Sequence, residues 1–371
     1  MSENESIALL RLHRIPGIGP VGARKLVRYF GSAEGIFSES IRSLVQIPGI
    51  GRITAEKILE VQHLHAARQE WERLRRYGIR CIPYWEASYP QLLRQCDDAP
   101  LVLFLKGDIP LTGQRFVSIV GTRNMTEYGK RCCEQLVADL APYRPVIVSG
   151  LAFGVDICAQ LAAIRHGLQT VACLAHGLDR VYPEQHRHFV TEILASGGLL
   201  TEFSLGTPPE RMHFVRRNRI IAGLSEATVV VESASEGGSL ITADLAFGYH
   251  REVFAIPGRM SDRFSRGCNH LIRDQKAHLM QSVADLVRVM NWAETTESSK
   301  PKQGKGINYK ALATEERCIV DFLGNRENIC LDDIAIGCGR PVKETATLLF
   351  MLEMKGLIRS MPGKRYVLAD N

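Results

Sequence analysis

The chain has 371 residues, 45% of them hydrophobic and 23% charged, with 46 Lys and Arg against 40 Asp and Glu for a formal charge of +6. These proportions exclude a disordered or collagen-like chain, and the length suits two or three domains with at least one sizeable core. No apolar run approaches the ~18 residues of a membrane helix, and Leu9 and Leu10 lead at once into Arg11, His13 and Arg14, so neither a signal peptide nor a membrane anchor is expected. Ten cysteines without a CxxC pair fit neither a disulfide scaffold nor a zinc site, so reduced thiols in a cytoplasmic protein are expected. The charge surplus is too small to establish nucleic-acid binding by itself, so clustering has to decide it.

Residues 15–30 (IPGIGPVGARKLVRYF) and 47–62 (IPGIGRITAEKILEVQ) match at seven of sixteen positions with an offset of 32, an internal duplication. In each copy a Pro-Gly-Ile-Gly turn, with Gly17 and Gly19 or Gly49 and Gly51, precedes a helical pattern. Such a turn resembles the helix-hairpin-helix element, which holds a phosphate on backbone amides at a helix N-terminus. Arg24 and Lys25 then lie near the phosphate of the first copy, while Glu56 weakens the second. The alternative is a packing module without DNA contacts.

From Phe116 onward the apolar runs FVSIVG, PVIVSG, TVACLAHG, GLLTEF, ATVVVESA and EVFAIPG alternate with amphipathic helical stretches. This predicts an α/β domain around a doubly wound parallel sheet, with ligands beyond the carboxyl ends of the strands. Gly121, Thr122 and Arg123 follow the first run, Ser149, Gly150, Leu151 and Ala152 the second, and Gly177 the third. Gly237, Gly238 and Ser239 open a helix after the fifth, a candidate phosphate-binding N-terminus. Neither GxGxxG nor GxxxxGK[ST] is present, which argues against a dinucleotide oxidoreductase and a P-loop ATPase.

The densest basic cluster is Arg211, Arg216, Arg217 and Arg219, with Phe214 and Asn218 among them. Ile220, Ile221 and Leu224 mark a helix that starts inside the cluster, and positive side chains at a positive helix end call for an anion. Arginine offers bidentate phosphate contacts and Phe214 a stacking face for an unpaired base. A solvated charge run is the competing reading. His186 and His188 lack any Cys or carboxylate pattern that completes a metal site.

After Trp292 the segment AETTESSKPKQGKG reads as a linker. Beyond it, helical patterns, a long amphipathic helix over 342–354 and a hairpin over 358–368 predict a winged helix. Leu348, Leu349, Phe350, Met351 and Leu352 make its recognition helix apolar, which favours core packing or partner contact over base reading. Lys364 and Arg365 at the hairpin tip remain available to a phosphate backbone.

Taken together, Gly121-Thr-Arg123, Ser149-Gly-Leu-Ala-Phe-Gly154-Val-Asp156, Gly177-Leu-Asp179 with Tyr182-Pro183, Phe214 with Arg217-Asn218-Arg219, Gly238-Ser-Leu-Ile-Thr242 and Ile256-Pro-Gly258 occur in the order seen in the DNA-processing protein A (DprA/Smf) family, which the chain resembles over nearly its whole length. The departures are Gln160 where the family usually has histidine, Gly237 where serine is common, and Glu184-Gln185-His186 after the Tyr-Pro. The resemblance implies a helix-hairpin-helix (SAM-like) domain over 1–80, a Rossmann-like DNA-binding domain over 81–292, a linker over 293–310 and a winged helix over 311–371. It further implies a cytoplasmic single-stranded DNA binder that dimerises through the Rossmann-like domain, protects incoming DNA and loads the RecA recombinase in natural transformation, without cofactor or catalytic turnover. Arg123 with the amides of Gly121 and Thr122 would meet a phosphate, and Arg211, Phe214, Arg216 and Arg217 to Arg219 would line the strand. Two other readings stay open. One is a nucleotide phosphoribohydrolase of the "lonely guy" type, with Glu232 stabilising a sugar cation, and the other a purely architectural adaptor.

Overall fold

The structure is a computed structural model that describes residues 1–292, 313–324, 329–355, 357–361 and 365–368. It divides into two compact units, Met1–Thr295 and Thr296–Asn371. The linker expected over 293–310 lies outside the described residues. Among them, no helix is long and apolar enough to cross a membrane.

The first unit is organised by a nine-stranded sheet comprising β1 (Arg80–Pro83), β2 (Val102–Gly107), β3 (Phe116–Val120), β4 (Val146–Ser149), β5 (Thr170–Cys173), β6 (Gly197–Thr201), β7 (Ala227–Val230), β8 (Glu252–Ala255) and β9 (His278–Leu279). Its order is β1-β2-β6-β5-β4-β3-β7-β8-β9. Strands β3 to β9 are parallel, and β1 and β2 form an antiparallel margin joined through Phe104↔Thr201 of β6. Every residue of β3 to β7 is buried, because helices cover both faces, and this is why those strands read as unbroken apolar runs.

The helices Glu127–Leu140 and Val155–Arg165 supply Leu136, Val137, Ala159 and Ala162 to one face. Helices Arg211–Leu224 and Gly238–Gly248 supply Ile220, Ile221, Ala243 and Ala246 to the other. The chain leaves β3 for β4 on one side and returns for β7 on the other, so β3 is the switch point. In a doubly wound sheet the ligand crevice opens there, beyond the carboxyl ends.

The N-terminal helices Glu3–His13, Pro20–Phe30, Arg52–Leu59 and Gln62–Arg76 enclose Leu9, Leu12, Leu26, Ile36, Leu44, Ile58 and Leu74, and their core is continuous with Phe104, Leu178, Leu199 and Leu205 of the sheet domain. Gly17 and Gly49 hold equivalent turns at φ +89° and +95°, a conformation that favours glycine. Polar contacts fix the docking. Glu70 is buried, accepts from Arg14 Nη1 at 2.7 Å and from the Leu205 amide at 3.0 Å, while Arg73 reaches Asp179 at 3.3 Å. Arg24, expected beside a phosphate, instead donates to the carbonyls of Ala99 (3.1 Å) and Asp97 and lies over the Tyr84 ring. Lys25 is exposed.

The second unit holds helices Thr314–Leu323, Leu331–Gly337 and Val342–Met354 and a small sheet of Ile329–Cys330, Arg365–Leu368 and Ile358–Met361 in that spatial order. Leu349 and Leu352 enter its core with Ile319, Leu323 and Ile334, whereas Phe350 and Met351 stay exposed. The apolar helix therefore does two things, filling the core on one side and presenting apolar surface on the other. The hairpin tip at residues 362–364, with Lys364, lies outside the described residues.

Candidate nucleic-acid interface

At the switch point the βα turns interlock. The Thr122 amide donates to the Glu232 carbonyl at 2.7 Å, and the Val155 amide donates to the Thr122 carbonyl at 3.2 Å. Gly154, at φ +76°, sits against the Thr122–Arg123 peptide so closely that a Cβ would lie 2.2 Å from the Thr122 oxygen. Gly121 is equally confined, with a Cβ position 2.5 Å from Val155 Cγ2 and 2.9 Å from the Glu232 carbonyl. These contacts aim Arg123 into solvent, where its guanidinium stands 5.4 Å from the Phe214 ring centroid.

Phe214, from the helix Arg211–Leu224, is half-buried and meets Tyr182 edge-on at 5.5 Å. Tyr182 is 44% exposed and Phe153, beyond the Ser149–Ala152 turn, 43% exposed. Phe153 leans on His186 at 4.7 Å, and the His186 ring shares a hydrogen bond with the Leu151 carbonyl at 2.9 Å. A row of aromatic faces beside a guanidinium with no ion pair or hydrogen bond among the described residues offers stacking surface plus a phosphate contact, the combination that grips single-stranded nucleic acid without reading its sequence. Sequence reasoning had not placed Tyr182 and Phe153 in the interface. Each lies within a motif already singled out, and an exposed aromatic next to a glycine-rich turn is the signal that points to them.

The arginine cluster divides. Arg211 is exposed. Arg216 is half-exposed and bonded to Glu202 at 2.6 Å. The remaining three correct the expectation of a strand-facing row, for Arg217, Asn218 and Arg219 are buried. Arg217 donates to the carbonyls of Gly150 (2.7 Å) and Cys173 and to Asn218 Oδ1 (3.3 Å). Asn218 Nδ2 donates to the Gly238 carbonyl at 3.2 Å, and Arg219 pairs with Glu202 and the Asp98 carbonyl. They brace the rim from below, fixing the turns after β4 and β7 whose outer surfaces face solvent.

The other expected residues fall into place around this brace. A Cβ at Gly150 would sit 2.3 Å from Arg217 Nη1, so any side chain there displaces the guanidinium. Its amide donates to Asp156 Oδ2 at 3.1 Å, and burial pushes the Asp156 carboxyl up against the opposing pull of Arg217. Ser149 is buried, with its hydroxyl on the Ile119 carbonyl at 2.6 Å, and Leu151 is buried at φ +56°. Ala152 is half-buried. Gly177 is buried under the turn at Ser204, so it shapes the rim without reaching its surface. Gly237 and Gly238 are exposed at the start of the helix Gly238–Gly248, and Ser239 is buried with its hydroxyl on Ser233 Oγ at 2.9 Å. Buried Gln160 finds no partner for either amide atom among the described residues.

Glu232 is 2% exposed, and its carboxylate accepts from the Thr126 amide at 2.9 Å and from Thr126 Oγ1 at 2.5 Å, holding the residue that caps the helix Glu127–Leu140. It lies directly over Gly129, where a Cβ would stand 2.1 Å from Oε2. Gly129→Ala should therefore cost about 1–3 kcal/mol of stability by overpacking. Thermal melting of the variant checks this, and an unchanged midpoint would show that the carboxylate can move away.

Comparison with known proteins identifies the family. Residues 80–291 match the family described as DNA recombination-mediator protein A, residues 9–61 the SAM-like helix-hairpin-helix tandem, and residues 308–364 the DprA winged helix domain. The chain is 29% identical to Protein Smf of Synechocystis over 99% of both chains. It is 40% identical to DNA processing protein DprA of Bacillus subtilis over 57% of this chain and 71% of that one. Among solved structures, DprA from Streptococcus pneumoniae superposes with a TM-score of 0.66 at 30% identity, covering 79% of this chain and 99% of the other. A structure from Helicobacter pylori, whose subject is the single-stranded DNA binding mode of DNA processing protein A, gives 0.53 at 28% identity over 58% and 98%. With the family match spanning more than half its length, and the glycine turns, buried arginine brace and aromatic row in place, the chain belongs to the DNA recombination-mediator protein A (DprA/Smf) family.

Proposed function

We propose that the rim of the central sheet binds single-stranded DNA, and that the protein protects incoming strands and loads the RecA recombinase during natural transformation. It would act in the cytoplasm as a homodimer formed through the Rossmann-like domain. The observation that carries the binding step is the exposed Arg123 guanidinium beside Phe214, with Tyr182 and Phe153 extending the aromatic surface along the same rim. The RecA, dimer and transformation steps are proposed on the strength of family membership alone. The single-strand binding mode named for the H. pylori relative supports the ligand class.

The hydrolase reading asks Glu232 to stabilise a sugar cation. Both of its oxygens are engaged by Thr126 and the side chain is buried, which weighs against that role.

The test is oligonucleotide binding at two salt concentrations. With four to six phosphates neutralised, log affinity should fall with log salt at a slope of about −3 to −4, roughly a fifty- to three-hundredfold loss between about 50 and 200 mM. Duplex of the same sequence should bind more weakly, because its bases are not free to stack. Salt-independent binding, or release of free base from a nucleoside monophosphate, would overturn the assignment.

A further inference from the structure

The second unit carries two thiols that neither the DNA reading nor the packing of its core uses. Cys318 is exposed on the helix Thr314–Leu323, and Cys338 stands half-buried at the end of the helix Leu331–Gly337. We infer that Cys318 and Cys338 form an oxidation site, joined into a disulfide by hydrogen peroxide and returned to thiols by a dithiol reductant.

Two flanking contacts set the thiols opposite each other. The helix Leu331–Gly337 ends in a tight turn in which Gly339, at φ +63°, lets the Arg340 amide reach back to the Ala335 carbonyl at 2.9 Å. At one end of the turn Arg340 Nη2 meets Glu315 Oε1 at 3.2 Å. At the other, Gly337 packs so closely on Phe322 that a Cβ would stand 2.0 Å from the ring Cε2. Glu315, Cys318 and Phe322 are spaced i, i+3 and i+7, which puts them along one face of their helix. Cys338 lies between Gly337 and Arg340 in the turn as Cys318 lies between Phe322 and Glu315 on the helix, so the register brings thiol to thiol. Burial first, and then contact with the Cys318 thiol, push Cys338 up to about 11.

That shift assigns the roles. Cys338 stays protonated at neutral pH, while Cys318 faces solvent and meets the oxidant. The Cys318 thiolate attacks one oxygen of the peroxide, the O–O bond breaks, hydroxide leaves and takes a proton to become water, and Cys318 is left as a sulfenic acid. The Cys338 sulfur then attacks the Cys318 sulfur, the S–O bond breaks, and the Cys338 proton leaves with the hydroxide as a second water. Two thiols are oxidised and one peroxide is reduced. The raised pKa of Cys338 slows the second step, but a thiol already held against its target needs no diffusional search. The disulfide closes a ring over residues 318–338 and ties the two helices together at the turn.

Other cysteines supply internal comparisons. Cys133 and Cys158 adjoin on the helices Glu127–Leu140 and Val155–Arg165, and hydrogen bonding from Cys133 pulls Cys158 down. Yet they are 0% and 8% exposed inside an apolar core, which shields both from peroxide. Cys330 is half-buried, and its thiol donates to Asp333 Oδ2 at 3.0 Å.

The test treats the full chain with hydrogen peroxide, then denatures, alkylates and digests it, and reads cysteine pairing by mass spectrometry. The expected product links the peptides of Cys318 and Cys338, has two hydrogens fewer than the separate thiols, and disappears with dithiothreitol. Cys338→Ser should leave Cys318 as a sulfenic acid that dimedone traps, whereas Cys318→Ser should leave Cys338 alkylated as an ordinary thiol. Oxidised protein should also be cleaved about tenfold more slowly by protease between residues 314 and 354 than reduced protein, because the ring constrains the opened chain. Complete alkylation of both cysteines after peroxide overturns the site, as does a crosslink that joins Cys318 to Cys330 or forms first between Cys133 and Cys158. Dimedone on Cys338 in the Cys318→Ser variant overturns the assigned order of attack, and equal cleavage of oxidised and reduced protein overturns the staple.

Discussion

Replacing Arg217 by methionine should destabilise the Met1–Thr295 unit by about 3–5 kcal/mol, although the side chain belongs to the most basic segment of the chain. The residue is 4% exposed, and its guanidinium bonds the carbonyls of Gly150, just after β4, and Cys173, the last residue of the adjacent β5. Burial pushes its pKa down while buried Asp156 opposes that shift, so the two groups compensate each other's charge. Methionine fills much of the volume but leaves two carbonyl oxygens unpaired and Asp156 without its counter-charge. Removing the donor leaves its buried acceptors unsatisfied, which costs far more than the bonds themselves contribute. Urea denaturation without DNA measures this loss, and Arg123→Ala serves as the comparison that should not move. DNA affinity should fall in the methionine variant too, because the turn after β4 loses its brace. A variant of unchanged stability that had lost only DNA affinity would return Arg217 to direct contact with the strand.

That division among the arginines marks the limit of what the sequence disclosed. The helix beginning inside the cluster was legible, and so was the need for an anion near its positive end. Part of that anion is internal, for Glu202 at the end of β6 takes both Arg216 and Arg219. Nothing in local spacing announces a carboxylate that arrives from nine residues upstream of the helix and through the register of a different strand. Arg24 shows the same thing. Its place after a hairpin glycine suggested a phosphate, and its actual partners, the carbonyls of Asp97 and Ala99, exist only because the helical segment docks on the sheet domain.

The six apolar runs became β3 to β8 because burial on both faces imposes an unbroken apolar pattern. The margin strands β1 and β2 went unread, since RCIP and VLFLKG are separated by no crossover helix and their place is set by antiparallel pairing with β6. Glycines were recognisable as turn formers, but their steric reasons were not. Gly150 and Gly129 are small because Arg217 and Glu232 lie against them, and both neighbours come from more than 60 residues away.

Arg123 and Phe214 should behave in DNA binding as one unit. Arg123→Ala should weaken single-strand affinity by about 1.5–3 kcal/mol through the loss of a charge-assisted phosphate bond. Phe214→Ala should cost about 1–3 kcal/mol through the loss of a stacked base. The guanidinium lies over the ring at 5.4 Å, so removing the ring also frees Arg123 from the surface that orients it. The double variant should accordingly lose less than the sum of the single losses, by about 0.5–1.5 kcal/mol, as expected for residues in contact. Salt separates the two roles. Arg123→Ala should lower the magnitude of the salt slope by about 0.7, one phosphate on a single strand, while Phe214→Ala leaves it near the parent value. On an abasic strand the Phe214 cost should largely vanish and the Arg123 cost persist. Strict additivity, together with equal salt slopes for both variants, would separate the pair and break the link between the aromatic row and the phosphate contact on which the rim assignment depends.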